Sequence, residues 1–400
     1  FKGDPKKILD EIINNKNISH VYWNRLYDKK SIERDKDIKS FLIQKSITSK
    51  TFNGYLLTEP WNIKNKSGSF FKVFTPFWKT NFESLKDKKL KNISAVKVTF
   101  CRKKLTFNEH ELKLNIPKKK WMNKILSHWE IGEQYAKIKL NNFIKSKLNN
   151  YGSGRDRPDI EFTSRLSAHL HFGEISPMRI FTDVMNSKID GDNKQKYLSE
   201  IGWRDFSYNL LFNYPEMTEL PIQSKFLKFP WLKNNNSLKK WKAGETGVPI
   251  VDAGMKELYE MGWMHNRVRM IVGSFLTKNL LIHWKNGEKW FFDTLVDADI
   301  GSNAAGWQWI SGSGADASPF FRIFNPILQG KKFDPKGDYV RKYIPSLNKI
   351  PDKFIHSPWE MTSDDQKKYN FILGKDYPLP IVDLGETRKR ALAAFKTLSE

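Results

Sequence analysis

The chain has 400 residues, 39% of them hydrophobic, with 28 Phe, 14 Trp and 13 Tyr. That is enough apolar surface for two to three packed domains and too much for a disordered chain. No apolar run reaches the roughly 18 residues of a membrane span, and Phe1–Asp10 has no signal-peptide core. The single cysteine, Cys101, excludes an internal disulfide framework and a multi-cysteine zinc site, and a reducing cytoplasm fits best. Sixty-eight Lys+Arg against 44 Asp+Glu give a net charge of +24. A polyanionic partner, DNA or RNA first, is the natural reading. A coding bias toward Lys and Asn would give the same sum without a basic patch.

In chain order, Ile8, Leu9, Ile12 and Ile13 recur at helical spacing behind Pro5, which suits a first turn. A strand-like run, Ile18 to Trp23, follows. A second helical stretch lies around Ile38, Phe41 and Leu42, and an extended piece from Gly54 to Leu57. Alternation of helix and strand predicts a parallel α/β layer. The strand that should precede the first helix is missing, so the chain is expected to lack the start of this domain. Residues 62–120 read as a connector, mixing polar residues with aromatic runs such as Phe70 to Trp78. From Trp121 onward the pattern is helical: Ile144, Leu148 and Tyr151 step by four and three, and Leu166 and Leu170 by four. The expected architecture is therefore α/β plus all-α: a partial Rossmann-like domain (1–61), a connector (62–120) and a large helical domain (121–400).

Four constellations can carry chemistry. Tyr151-Gly-Ser-Gly-Arg155-Asp156 followed by Thr163-Ser-Arg-Leu-Ser167 reads as a glycine-rich loop leading into a hydroxyl-rich helix start, which suits phosphate or a plain N-cap. Glu200, Trp203 and Arg204 share one helix face. There a carboxyl beside an indole can become a hydrogen-bond donor, or Glu200 can simply pair with Arg204. Trp263, Asn266, Arg267 and Met270 are again three and four apart, with Arg267 and Arg269 suited to phosphates. Asp297, Asp299, Asn303, Trp307 and Trp309 close the set. An Asp-x-Asp pair without a histidine cluster is poor ground for a metal, and ribose hydroxyls or Arg269 are better partners.

The strings TSRLSAHLHFGEIS, IGWRDF, TGVPIVDAGMKELYEMGWMHNRVRM, DADIGSNAAGWQW and RIFNP, in that order, closely resemble the photolyase/cryptochrome family, most of all class I cyclobutane pyrimidine dimer photolyases. FKVFTPF marks the connector. The resemblance implies an N-terminal α/β antenna domain, a connector and a helical FAD-binding domain, with roughly the first fifth of a full-length relative absent. It implies FAD phosphates held by Tyr151 and by Thr163, Ser164, Arg165, Leu166 and Ser167. The ribityl, ribose or ring edge falls to Asp297, Ala298 and Asp299, and the reactive ring nitrogen to Asn303. Asn266 and Arg269 complete the cofactor set. Glu200, Trp203, Arg204, Asn266, Arg267, Met270 and Trp309 should meet the lesion, with Arg155 and Arg322 on DNA. Trp307, Trp284 and Trp231 match the family's electron relay.

The implied activity is light-driven repair of pyrimidine dimers in DNA by a monomer, without a metal or a membrane. Ala168 and Ala305 are mild departures from the family pattern. Thr218 and Glu219 replace the Cys-Lys pair of folate-binding relatives. A second antenna chromophore, of folate or deazaflavin type, therefore has an incomplete site. Two branches compete. A repair enzyme for (6-4) photoproducts would have His at Asn266 and often at Met270. A cryptochrome-type sensor would not need Glu200 with Trp203. A plain basic DNA-binding protein would carry no flavin.

Overall fold

Strands β1 (His20–Asn24) and β2 (Thr48–Phe52) pair in parallel, with His20 opposite Thr48 and Asn24 opposite Phe52. Two parallel strands need a crossover, and helix α2 (Lys29–Gln44) supplies it, after α1 (Pro5–Asn15). Asp28 caps α2 by accepting from Ser31 N–H. Ile38, Phe41 and Leu42, three and one apart on its inner face, bury with Ile47, against Leu9, Ile13, Val21 and Trp23. The α/β reading of this segment holds. The strand expected at 18–23 lies at 20–24, and Gly54–Leu57 is a turn following β2. The computed structural model describes residues 1–15, 17–88, 120–189, 191–320 and 322–398. Cys101 and the connector from 89 to 119 lie outside the described residues.

The remaining described chain is helical: α3 (Phe74–Leu85), α4 (Lys120–Leu126), α5 (Glu133–Ser146), α6 (Tyr151–Gly154), α7 (Ser167–His171), α8 (Pro177–Met185) and α9 (Gly191–Asn213). Then come α10 (Asn235–Ala243), α11 (Pro249–Met261), α12 (Asn266–Ser274), α13 (Trp284–Thr294), α14 (Ile300–Ser311), α15 (Pro326–Phe333), α16 (Asp338–Tyr343), α17 (Ser363–Lys368) and α18 (Leu384–Lys396). The aromatic run expected in a connector is α3, which is packed into the helical body. Phe74, Phe77, Phe206 and Leu210 share one cluster there. Trp78 lies so close to α9 that a Cβ at Gly202 would stand 2.3 Å from its ring. A larger side chain at 202 would force the two helices apart.

The link between the two halves is a buried carboxylate. Asp205, on α9 and 1% exposed, accepts from Leu57 N–H (3.2 Å) and Thr58 N–H (2.9 Å). Burial pushes its carboxyl up to about 6 in spite of these bonds. Asp252 and Asp334 are raised to about 6 by the same cause. A carboxyl raised from 3.8 binds its proton more tightly in the folded chain. Its contribution is therefore full below pH 4 and is lost as pH rises toward 6. Each pH unit across that window is worth roughly 1.4 kcal/mol, so Asp205 should account for about 2–3 kcal/mol of the fall. Urea unfolding of Asp205→Asn at pH 4 and pH 6 is expected to show a decline smaller by that amount, and an undiminished decline would remove Asp205 from the account.

Candidate active site

Helices α9, α12 and α14 and the loop 163–167 wall a cavity of about 590 Å³, within the range of cofactor sites. Tyr151, Arg155, Thr163, Ser164, Arg165, Leu166, Ser167, Glu200, Trp203, Arg204, Asn266, Arg267, Arg269, Met270, Asp297, Ala298, Asp299, Asn303, Trp307 and Trp309 all line it. Residues far apart in sequence thus share one chamber. Trp231, Trp284 and Arg322 do not line it, and Arg322 is exposed.

Local structure differs from expectation at three points. The Tyr151–Gly154 stretch is a helical turn, α6, in place of a loop. The helix expected to open near Thr163 starts at Ser167, because Arg165 sits at φ 51°. Trp263 precedes α12, whose cap is His265, so it is not on the Asn266–Met270 stripe, although it lines the same chamber.

One end of the chamber is anionic and tightly bonded. Arg269 Nη2 donates to both oxygens of Asp297 (3.1 and 2.9 Å), and its Nε to Met264 O. Asp299 caps α14 through Ser302 N–H. Its Oδ2 accepts from Tyr55 OH at 2.5 Å and Tyr208 OH at 2.8 Å. Burial pushes the Asp299 carboxyl up, but the His171 ring (Nδ1 4.0 Å from Oδ2), the cation of Arg204, Tyr55 OH and Ser302 N–H outweigh it and hold Asp299 well below the usual carboxylate range. Arg204 does not pair with Glu200. Its Nη1 donates to Tyr55 O and its guanidinium lies 3.8 Å from the Tyr55 ring centroid. Burial and Asp299 push the Tyr55 phenol up to about 12. Asn303 Nδ2 donates to Glu288 O (2.9 Å), leaving its carbonyl oxygen as acceptor on the chamber wall.

Elsewhere on the wall, Glu200 Oε1 accepts from Arg155 Nη1 at 2.6 Å. The Glu200 side chain keeps 29% exposure. The expected water-poor donor is thus an ion-paired acceptor in the free protein. Trp203 stacks on Phe74 at 3.7 Å and 9°. Trp307, 3% exposed, fits against Gly287 of α13, where a Cβ would fall 2.1 Å from its ring. Trp284 begins the same helix one turn earlier. It stacks on His283 (5.4 Å), and His283 lies 5.2 Å from Trp231. Trp284 and Trp231 are therefore bridged by His283, a contact that sequence spacing did not reveal. Among the described residues no cluster of three or more His, Cys, Asp or Glu could hold a metal, and no helix is long and apolar enough to cross a membrane.

The donor set fits a phosphate-bearing ligand. Arg204 Nη2 and Arg267 Nε are buried without partners among the described residues, and both side chains line the chamber. Such orphaned cationic donors call for an anionic ligand. The hydroxyls of Thr163, Ser164 and Ser167 add neutral donors.

Comparison with known proteins agrees. Residues 197–397 match the FAD binding domain of DNA photolyase, and residues 1–95 the DNA photolyase family. A deoxyribodipyrimidine photo-lyase of Agrobacterium fabrum is 47% identical over the whole chain and 84% of its own length. Cryptochrome-1 of Arabidopsis thaliana is 36% identical over 98% of the chain and 59% of its own length. The crystal structure of a class III photolyase from Agrobacterium tumefaciens superimposes with a TM-score of 0.90 at 46% identity, covering 99% of this chain and 83% of that one. The chain belongs to the photolyase/cryptochrome family and carries its FAD-binding domain. The expectation of class I gains no support from a class III relative this similar.

Proposed function

We propose that the protein is a DNA photolyase of class III type that repairs cyclobutane pyrimidine dimers with blue light. The observation that carries this reading is one chamber whose wall joins Asn303, Asp297 and Asp299 to Glu200, Trp203, Asn266, Met270 and Trp309. When bound there, reduced FAD supplies one excited electron, which splits the two cyclobutane bonds and returns, leaving no net redox change. Tyr151 and residues 163–167 are assigned to the phosphates, Asp297–Asp299 to the ribityl, ribose or ring edge, and Asn303 to the reactive nitrogen. Residues 1–61 are read as antenna-domain sequence and 121–400 as the catalytic body. Thr218 and Glu219 in place of a Cys-Lys pair speak against a folate as second chromophore.

The chain's own residues bind, orient and exclude water. Trp203, already stacked on Phe74, and Trp309 offer flat apolar faces to an extruded pair of bases. Enzymes that do chemistry on a base in a duplex, photolyases among them, reach it by such extrusion. Asn266 and Met270 stand where histidines would serve a (6-4) product, which favours the cyclobutane substrate. Glu200 and Trp203 favour repair over sensing alone. Glu200 accepts from Arg155 in the free protein and must leave it to reach a thymine edge. Monomeric state and a cytoplasmic setting complete the proposal.

The test is a visible spectrum of the purified chain, followed by blue-light-dependent loss of thymine dimers from an oligonucleotide. Flavin without repair would move the protein to the cryptochrome reading. No flavin would sink both. In the same assay Glu200→Ala should lose at least about three-fold in repair per absorbed photon, and Glu200→Gln less. Both effects should stay below the ~100-fold of a lost oxyanion donor, because light drives the electron step.

A further inference from the structure

A chain of four charges joins three residues of the chamber wall through Asp156: Glu200 Oε1 to Arg155 Nη1 at 2.6 Å, Arg155 Nε to Asp156 Oδ1 at 4.0 Å, and Asp156 Oδ1 to Arg267 Nη2 at 2.8 Å. It ties α9, the end of α6 and α12 together. Arg267 is clamped further by Phe333, whose ring centroid lies 4.3 Å from its guanidinium carbon. Asp156 is the one member within ion-pair distance of both cations, and its own side chain is 33% exposed. We infer that Asp156 is a positioning residue for lesion recognition: it pairs with Arg267, lies within 4.0 Å of Arg155, and so keeps both guanidiniums together as a fork for the phosphates flanking an extruded dimer. This inference rests on the photolyase reading.

Two guanidiniums held by one carboxylate have already given up their rotamer freedom, so a phosphate that fits between them binds at lower entropic cost. The same two cations without Asp156 still attract phosphate, but from any direction. The sum of the four charges is zero, so the fork adds little attraction for undistorted duplex. Its gain comes only when a phosphate enters between the arginines. A phosphate that takes over Arg155 also releases Glu200, which then turns toward the base. Lesion binding and the freeing of Glu200 become one event.

Asp156→Asn removes the clamp and keeps the volume. The dissociation constant for a dimer-containing oligonucleotide should rise roughly ten-fold while that for the undamaged oligonucleotide stays within about two-fold, since loose cations still meet backbone phosphate. Asp156→Glu should recover most of the lost discrimination. Flavin absorbance per chain and the thermal midpoint are measured on each variant. Retained discrimination in Asp156→Asn overturns the inference. So does an equal loss for both oligonucleotides, or a loss of flavin, either of which makes Asp156 structural. If the unaltered protein does not discriminate dimer-containing from undamaged DNA, the photolyase reading itself fails, an outcome distinct from the other three.

Discussion

Arg269→Ala is expected to cost about 3–5 kcal/mol in stability and to empty the chamber of flavin. Asp297 has only 4% of its side chain exposed, and both its oxygens accept from Arg269. Removing the guanidinium leaves that carboxylate buried and uncompensated, which is far worse than never having had the pair. The loss also frees Met264 O, the third group that Arg269 holds. Replacing both partners, Arg269→Met with Asp297→Leu, should recover much of the stability and none of the flavin. Chemical unfolding with flavin absorbance as a second reading separates the two effects. A single variant that unfolds like the parent would show Asp297 to be reached by water.

Trp307→Phe is expected to abolish light-driven reduction of oxidised flavin by added thiol, a drop of at least about ten-fold in rate, while repair after chemical reduction persists. An indole gives up an electron to a photoexcited acceptor far more readily than a phenyl ring. Of the three tryptophans assigned to the relay, Trp307 alone lines the chamber, and Gly287 lets it lie flush with α13. Trp284→Phe and Trp231→Phe should slow reduction less, because each breaks the path further out. Trp241, in edge contact with Trp307 at 6.2 Å, stays in place in all three variants. Undiminished photoreduction in Trp307→Phe, read as bleaching of the visible flavin band, would remove the path from the account.

Much of the site was readable because its residues come in short runs with helical spacing. Glu200, Trp203 and Arg204 do share α9, and Asn266, Arg267 and Met270 do share α12. What could not be read was the partner of each charge. Glu200 has Arg204 one turn away in sequence, yet pairs with Arg155, 45 residues earlier. Arg204 turns instead to Tyr55, because that ring and carbonyl offer it a site that a surface pair would not. Tyr55 and Tyr208 carry no motif, and only their convergence on Asp299 marks them. Similarly, the aromatic run from Phe70 to Trp78 looked like connector because its polar neighbours hide the helical period, and packing against α9 makes it α3. Gly54–Leu57 has the apolar residues of a strand but turns away from the sheet, with Leu57 and Thr58 committed to Asp205.

The bonds of residues 55 to 58 also set an order of events during synthesis. Leu57 and Thr58 find their acceptor 148 and 147 residues later, and Tyr55 finds Asp299 after 244. At a ribosomal pace of about 5–20 residues per second, those groups wait roughly seven to fifty seconds before their partners exist. The β1–α2–β2 unit can form long before, since its contacts are local. The chamber cannot, because Asp299 joins a tyrosine made 244 residues earlier. Closing loops of that length delays assembly and leaves α9 and α14 with unmet surfaces meanwhile. A nascent chain stalled before residue 299 should therefore display a folded N-terminal unit and no flavin pocket.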